Sequence, residues 1–135
     1  MDAGLPPAYQ KEGTVLVVDD NPMNLGLLYE YLTRSGYEVL LAQNGEDAID
    51  QAIKLVPDII LLDIMMPGID GFETCQRLKA HDATKEIPII FITAYSTAGM
   101  LERMKKIRHN GIIFKPFDVE NLLELIRKTI VSPAV

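Results

Sequence analysis

No stretch of this 135-residue chain approaches the roughly 20 consecutive apolar residues that a membrane-spanning helix needs. The N-terminus lacks the basic segment and following apolar run of a secretory signal. A surplus of positive charge is missing too. The formal net charge is −6, which argues against a domain that works mainly by non-specific contact with nucleic-acid phosphates. Cysteine occurs once, at Cys75, so an internal disulfide and a cysteine zinc cluster are both excluded. A reduced thiol on a helix of a cytoplasmic protein is the expectation. The two histidines, His81 and His109, lack metal-ligand spacing, sit on or beside helix ends and are expected to be solvated. No strand leads into a G-x-G-x-x-G or P-loop pattern, which counts against a nucleotide or flavin binder. Repeats, low-complexity tracts and internal linkers are also absent. What remains is 48% hydrophobic and 24% charged residues, an ordinary globular balance with enough chain for one real core.

The chain is expected to divide into a leader over 1–13, a domain over 14–131 and residues 132–135 as a short tail or the start of a linker. Thr14 to Val18 reads as a β-branched strand ending on Asp19-Asp20. Asn21-Pro22 reads as an N-cap followed by proline at the first helical position, and Gly36 as the left-handed residue that closes the helix. Leu27, Leu28, Tyr31 and Leu32 are expected to form its buried stripe, with Tyr29 also packed. Glu38 to Ala42 is a second strand; Asn44-Gly45 opens a helix that Pro57 stops. Ile59 to Leu62 is wholly apolar and ends on Asp63, as a strand buried on both faces would. Asp70 and Glu73 are spaced as a capping box for a third helix. A fourth strand is expected over Ile87 to Ile92, ending on Thr93-Ala94, and a fourth helix over about Thr97 to Ile107. A short strand from Ile112 to Phe114 ends on Lys115-Pro116, and Asp118 caps the last helix.

Alternating strands and helices call for right-handed crossovers and a parallel sheet covered on both faces. The ligand crevice of such a sheet lies at the carboxyl ends of its strands. There the chain collects Asp19, Asp20, Asp63, Thr93 and Lys115. Crowded carboxylates raise one another's pKa unless a cation joins them. All candidate ligands are oxygens, which suit Mg²⁺ or Mn²⁺ far better than zinc. With a lysine and a hydroxyl beside them, they make a site for a phosphoryl group, in which an aspartate could be the nucleophile.

Four blocks in order, Val-Val-Asp-Asp-Asn, Leu-Leu-Asp-Ile-Met-Met-Pro-Gly-Ile-Asp-Gly, Ile-Thr-Ala and Phe-Lys-Pro-Phe, make the chain resemble the receiver domains of two-component response regulators over residues 14 to about 131. The resemblance implies a flavodoxin-like α/β fold with five parallel strands in the order 2-1-3-4-5. It implies Asp63 as phospho-acceptor, and Asp20, Asp19, Asp63 and the Met65 carbonyl as Mg²⁺ ligands. Thr93 would bond a phosphoryl oxygen and Lys115 would ion-pair with it. Ala94, Ile112 and Pro116 stand at switch and support positions, with Pro116 expected after a cis peptide. A histidine kinase or phosphotransfer protein would be the donor, and an output protein or domain the listener. A homodimer through the fourth helix, fifth strand and fifth helix is a further family property. Such a chain is a switch rather than a metabolic enzyme.

The chain departs from the family at Ile112, where an aromatic residue usually swings between two positions. Phe114 is aromatic but is expected to face the other way. This departure keeps a degenerate receiver, signalling without phosphate, as the alternative. A haloacid-dehalogenase-type phosphatase wants Asp-x-Asp after the first strand, where this chain has Asp-Asp-Asn-Pro. Lys105, Lys106 and Arg108 make a small basic face expected to be solvated, with a partner or dimer contact as the functional alternative.

Overall fold

The computed structural model describes residues 12–94 and 97–131. Strands and helices alternate as β1 (Gly13–Val18), α1 (Pro22–Arg34), β2 (Tyr37–Ala42), α2 (Gly45–Leu55), β3 (Ile59–Asp63), α3 (Gly71–Ala80), β4 (Ile89–Thr93), α4 (Ala98–Lys106), β5 (Gly111–Phe114) and α5 (Val119–Val131). The strands form one parallel sheet in the order β2-β1-β3-β4-β5. Most of the expected leader and all of the tail lie outside the described residues; Gly13 already belongs to β1. The fourth strand begins two residues later than expected. Pro88 has no N–H for a ladder, and the Ile87 N–H is used in the turn, donating to the Thr84 carbonyl at 3.0 Å.

Alternation along the strands builds two cores, one on each face of the sheet. Leu16, Val18, Ile60, Leu62, Ile89 and Phe91 pack with α2, α3 and Met104 of α4. Val15, Val17, Ile59, Leu61, Ile90 and Ile92 pack with α1 and α5 on the other side. Every residue of β3 and β4 is buried, as near-continuous apolar strands between two helical layers should be.

Helix starts follow the sequence signals. The Asn21 side chain accepts from the Met23 N–H at 2.9 Å, Asn44 from Asp47, Asp70 from Glu73 and Thr97 from Met100. Gly36 takes the left-handed conformation at φ 95°. The buried face of α1 differs from expectation. Leu25, Leu28 and Leu32 face the sheet, while Leu27 and Tyr31 are 51% and 42% exposed and Tyr29 is exposed too. Apolar residues surround much of this helix, so periodicity does not single out one stripe. The i, i+3, i+7 set fits beside the strands. Val56 closes α2 in the left-handed region at φ 43°, an uncommon conformation for a β-branched residue.

Candidate functional site

β1 and β3 are neighbours in the sheet, so Asp19, just beyond one strand, and Asp63, at the end of the other, lie side by side. Asp20 completes a group whose carboxylate oxygens lie within 4.8 Å of one another. Asp19 is 3% exposed and Asp63 8%, while Asp20 is open to solvent. Lys115 reaches in from the turn after β5. Its ammonium donates to Asp19 Oδ2 at 3.1 Å and to Asp63 Oδ2 at 3.2 Å. Its backbone N–H donates to the Thr93 carbonyl at 2.8 Å, fastening the turn to the end of β4. The Lys115-Pro116 peptide is cis.

The electrostatics follow from this crowding. Burial pushes the Asp63 carboxyl above the ordinary carboxylate value, and the neighbouring Asp19 charge adds to the shift; Lys115 pulls against both. Burial also works against the charge on Lys115. Its hydrogen bonds and charge contacts with Asp19 and Asp63 outweigh that loss and hold its pKa above the usual lysine value. Three carboxylates face one ammonium among the described residues, so the cluster carries uncompensated negative charge. A hard divalent cation fits such an all-oxygen set.

The other residues singled out in the sequence sit around this edge. Thr93 is fully buried at the end of β4, and Ala94 is exposed just beyond it. Met65 is exposed, and its N–H lies 3.4 Å from Asp63 Oδ1. Ile112 is partly buried against the α2/α3/α4 core and pairs in register with Phe91. Phe114 does not face away from it. Two residues further along the same strand, it shares the face of Ile112, pairs with Thr93 and is 43% exposed. His109 is half-buried rather than solvated. Its ring meets Phe91 edge-on at 5.3 Å, and its Nδ1 accepts from the Gly111 N–H.

Two features escape sequence reading. Asn24 donates through Nδ2 to Asp19 Oδ2 at 3.2 Å. The available signal is positional: a side chain in the first turn of a helix leans back toward the strand end that precedes it. An apolar groove of about 310 Å³ also opens beside Lys115, lined by Leu27, Leu28, Tyr31, Phe117 and Val119 among others. No helix among the described residues is long and apolar enough to cross a membrane.

Comparison with known proteins finds relatives of this chain. Residues 15–127 match the response regulator receiver domain model. The chain is 36% identical over 114 residues to the polar-differentiation response regulator DivK of Brucella anthropi, covering 84% of this chain and 93% of DivK. It is 42% identical over 115 residues to the response regulator PleD of Caulobacter vibrioides, covering 84% of this chain but 25% of PleD. Among solved structures, the receiver domain of sensor histidine kinase PA1611 from Pseudomonas aeruginosa PAO1 superposes with a TM-score of 0.83 at 30% identity, covering 89% of this chain and 98% of that one. That structure has a magnesium ion coordinated in its active-site cleft.

Proposed function

Because this chain belongs to the response regulator receiver family, we propose that it accepts a phosphoryl group on Asp63 from a phosphohistidine and thereby switches a partner-binding surface. The observation that carries the reading is the shared ammonium of Lys115, bonded to both Asp19 and Asp63 at the carboxyl edge of the sheet. Receiver domains are signalling modules of two-component systems, not classical enzymes.

Asp19, Asp20, Asp63 and the Met65 carbonyl would hold Mg²⁺, with Mn²⁺ as a substitute. The ion would supply charge neutralisation for phosphoryl oxygens. The chain's own residues do the rest. An Asp63 carboxylate oxygen bonds to phosphorus as the bond from phosphorus to the donor imidazole nitrogen breaks, its electron pair leaving with the imidazole. Lys115 offsets part of the burial that raises the Asp63 pKa, then bonds a phosphoryl oxygen. Thr93 offers its hydroxyl to another. Little covalent work is asked of the protein; positioning and charge are its contribution.

The acyl phosphate adds close to two negative charges. These draw Thr93 inward and bias α4 and β5, the surface offered to an output protein or domain or to a second copy of the chain. Pro116 supports the aim of Lys115 from the following position. Coupling runs without the usual aromatic rotamer, because Ile112 has no ring to swing. A donor histidine kinase or phosphotransfer protein in the cytoplasm would find an apolar floor for docking in the groove beside Lys115.

The test is intact mass after incubation with acetyl phosphate, with and without Mg²⁺, beside Asp63→Asn. One added phosphoryl group, dependent on Mg²⁺ and lost in the variant, supports the reading. No addition from acetyl phosphate or from a panel of phosphorylated histidine kinases sinks it and favours a phosphate-independent interaction module.

A further inference from the structure

We infer that Asn24 is a positioning residue for the acidic site, holding Asp19 in place when Lys115 turns toward an incoming phosphoryl group. The inference rests on the reading of the site given above.

Asp19 is nearly fully buried, and a buried carboxylate needs its lone pairs filled. Oδ1 accepts from the Asn21 N–H at 2.9 Å. Oδ2 accepts from two side chains, Lys115 Nζ at 3.1 Å and Asn24 Nδ2 at 3.2 Å. These partners differ in kind. The backbone N–H is fixed by the α1 cap, whereas Lys115 is shared with Asp63 at 3.2 Å. An ammonium has three donors and no geometric fork. Phosphoryl oxygens on Asp63 would therefore compete with Asp19 for it. Asn24 faces no such competition. Its amide is uncharged, and its helix is anchored at both ends of the first turn by Asn21 and by burial of Leu25.

The local structure explains why an amide at this position can reach. Pro22 opens α1, so Asn24 lies in its first turn, and helical Cα–Cβ bonds lean toward the N-terminus. That lean carries the side chain back over the β1–α1 turn onto a carboxylate five residues earlier. Asn24 also lines the mouth of the apolar groove together with Lys115. The same residue thus touches the wall where a donor would sit and the carboxylate that organises the site.

The experiment compares wild type, Asn24→Leu, which keeps the shape and deletes the donor, and Asn24→Gln, which keeps an amide. Mg²⁺ affinity is measured by titration calorimetry on the metal-free protein. Phosphorylation by acetyl phosphate is then followed as a function of Mg²⁺. Asn24→Leu is expected to weaken Mg²⁺ binding about tenfold, at the low end for partners that orient metal ligands. The Mg²⁺ needed for half-maximal phosphorylation should rise in step, with the plateau rate little changed. Asn24→Gln should recover most of the loss. Unchanged Mg²⁺ affinity in a folded Asn24→Leu protein overturns the inference. Equal losses in the Leu and Gln variants overturn it as well, since they indicate a steric role. Wild type that binds Mg²⁺ but takes no phosphoryl group sinks the phosphorylation reading while the calorimetry still judges Asn24. Wild type that binds no Mg²⁺ sinks both.

Discussion

β3 and β5 are both short parallel strands of the same sheet, yet they live in different surroundings. All five residues of β3 are buried, and it pairs on both sides. β5 pairs on one side, and none of its four residues is fully buried. The helices above them differ in the same way: α3 buries five residues and α4 one, Met104. Asp63, the proposed acceptor, therefore ends a strand that is buried along its length and paired on both sides. The surface assigned to signalling sits on the part with least apolar burial. Segments that move are drawn from the low-stability end of a structure, and this division gives each half the rigidity its task needs.

The comparison breaks most visibly in the cores. Ile60→Ala should cost about 3–4 kcal/mol in urea denaturation, near the upper range for deleting a buried isoleucine side chain. Ile112→Ala, half-buried on the edge, should cost no more than about 1.5 kcal/mol. Equal losses would mean that β5 is as well packed as β3.

A second probe uses Cys75, buried on α3 with its thiol against the Arg108 carbonyl. Burial pushes this thiol from its ordinary 9.0 to about 11, so the folded protein should resist alkylation at pH 8. If α4 and β5 open separately, the labelling rate should report an opening free energy about 2 kcal/mol below the global value. Labelling only at the global rate would show that both halves open together. The sign of the shift also predicts that folding stability falls as pH rises from 9.0 toward 11, because the unfolded chain releases this proton first.

Third comes the charge held by the rigid half. Asp63 has a raised pKa in the metal-free fold, so its ionisation opposes folding. Stability should fall as pH rises through the ordinary carboxylate range toward that raised value. Asp63→Asn should raise the Tm of the metal-free protein at pH 7 and change it little at pH 3. Added Mg²⁺ should stabilise wild type more than the variant. A variant less stable than wild type at pH 7 would show that the Lys115 contact outweighs the burial.

The smallest effect concerns what tethers α4. Arg103 lies 4.1 Å over the Phe72 ring and 3.9 Å from Asp70, both at the start of α3. Arg103→Ala should cost only about 0.5 kcal/mol globally. Hydrogen exchange should nevertheless quicken in α4 more than in α3.

The same contrast governs what the sequence discloses. β3 and the helix caps are legible because burial on two faces and the need to pair free N–H groups each leave few acceptable residues. Asp63 stands out because an acid ends an apolar run. The inward face of α1 is not legible, because Leu25, Leu27, Leu28, Tyr29 and Tyr31 offer several stripes and only the sheet chooses among them. The face of Phe114 is misjudged, because two steps along the pleat from Ile112 return to the same side. Asn24 escapes because an amide early in a helix is unremarkable until a carboxylate is placed beside it.

The order of the strands has a consequence for a chain being synthesised. Lys115 and Asp19 are 96 residues apart in sequence, and β1 gains its neighbour β3 only after β2 and α2 have been made. Until the turn after β5 has been made, there is no Lys115 ammonium to join Asp19 to Asp63. A nascent chain that stops short of residue 115 cannot assemble the site. If Asp63 is the acceptor, its phosphorylation would report a chain already made through Lys115 and brought together across β1, β3 and β5.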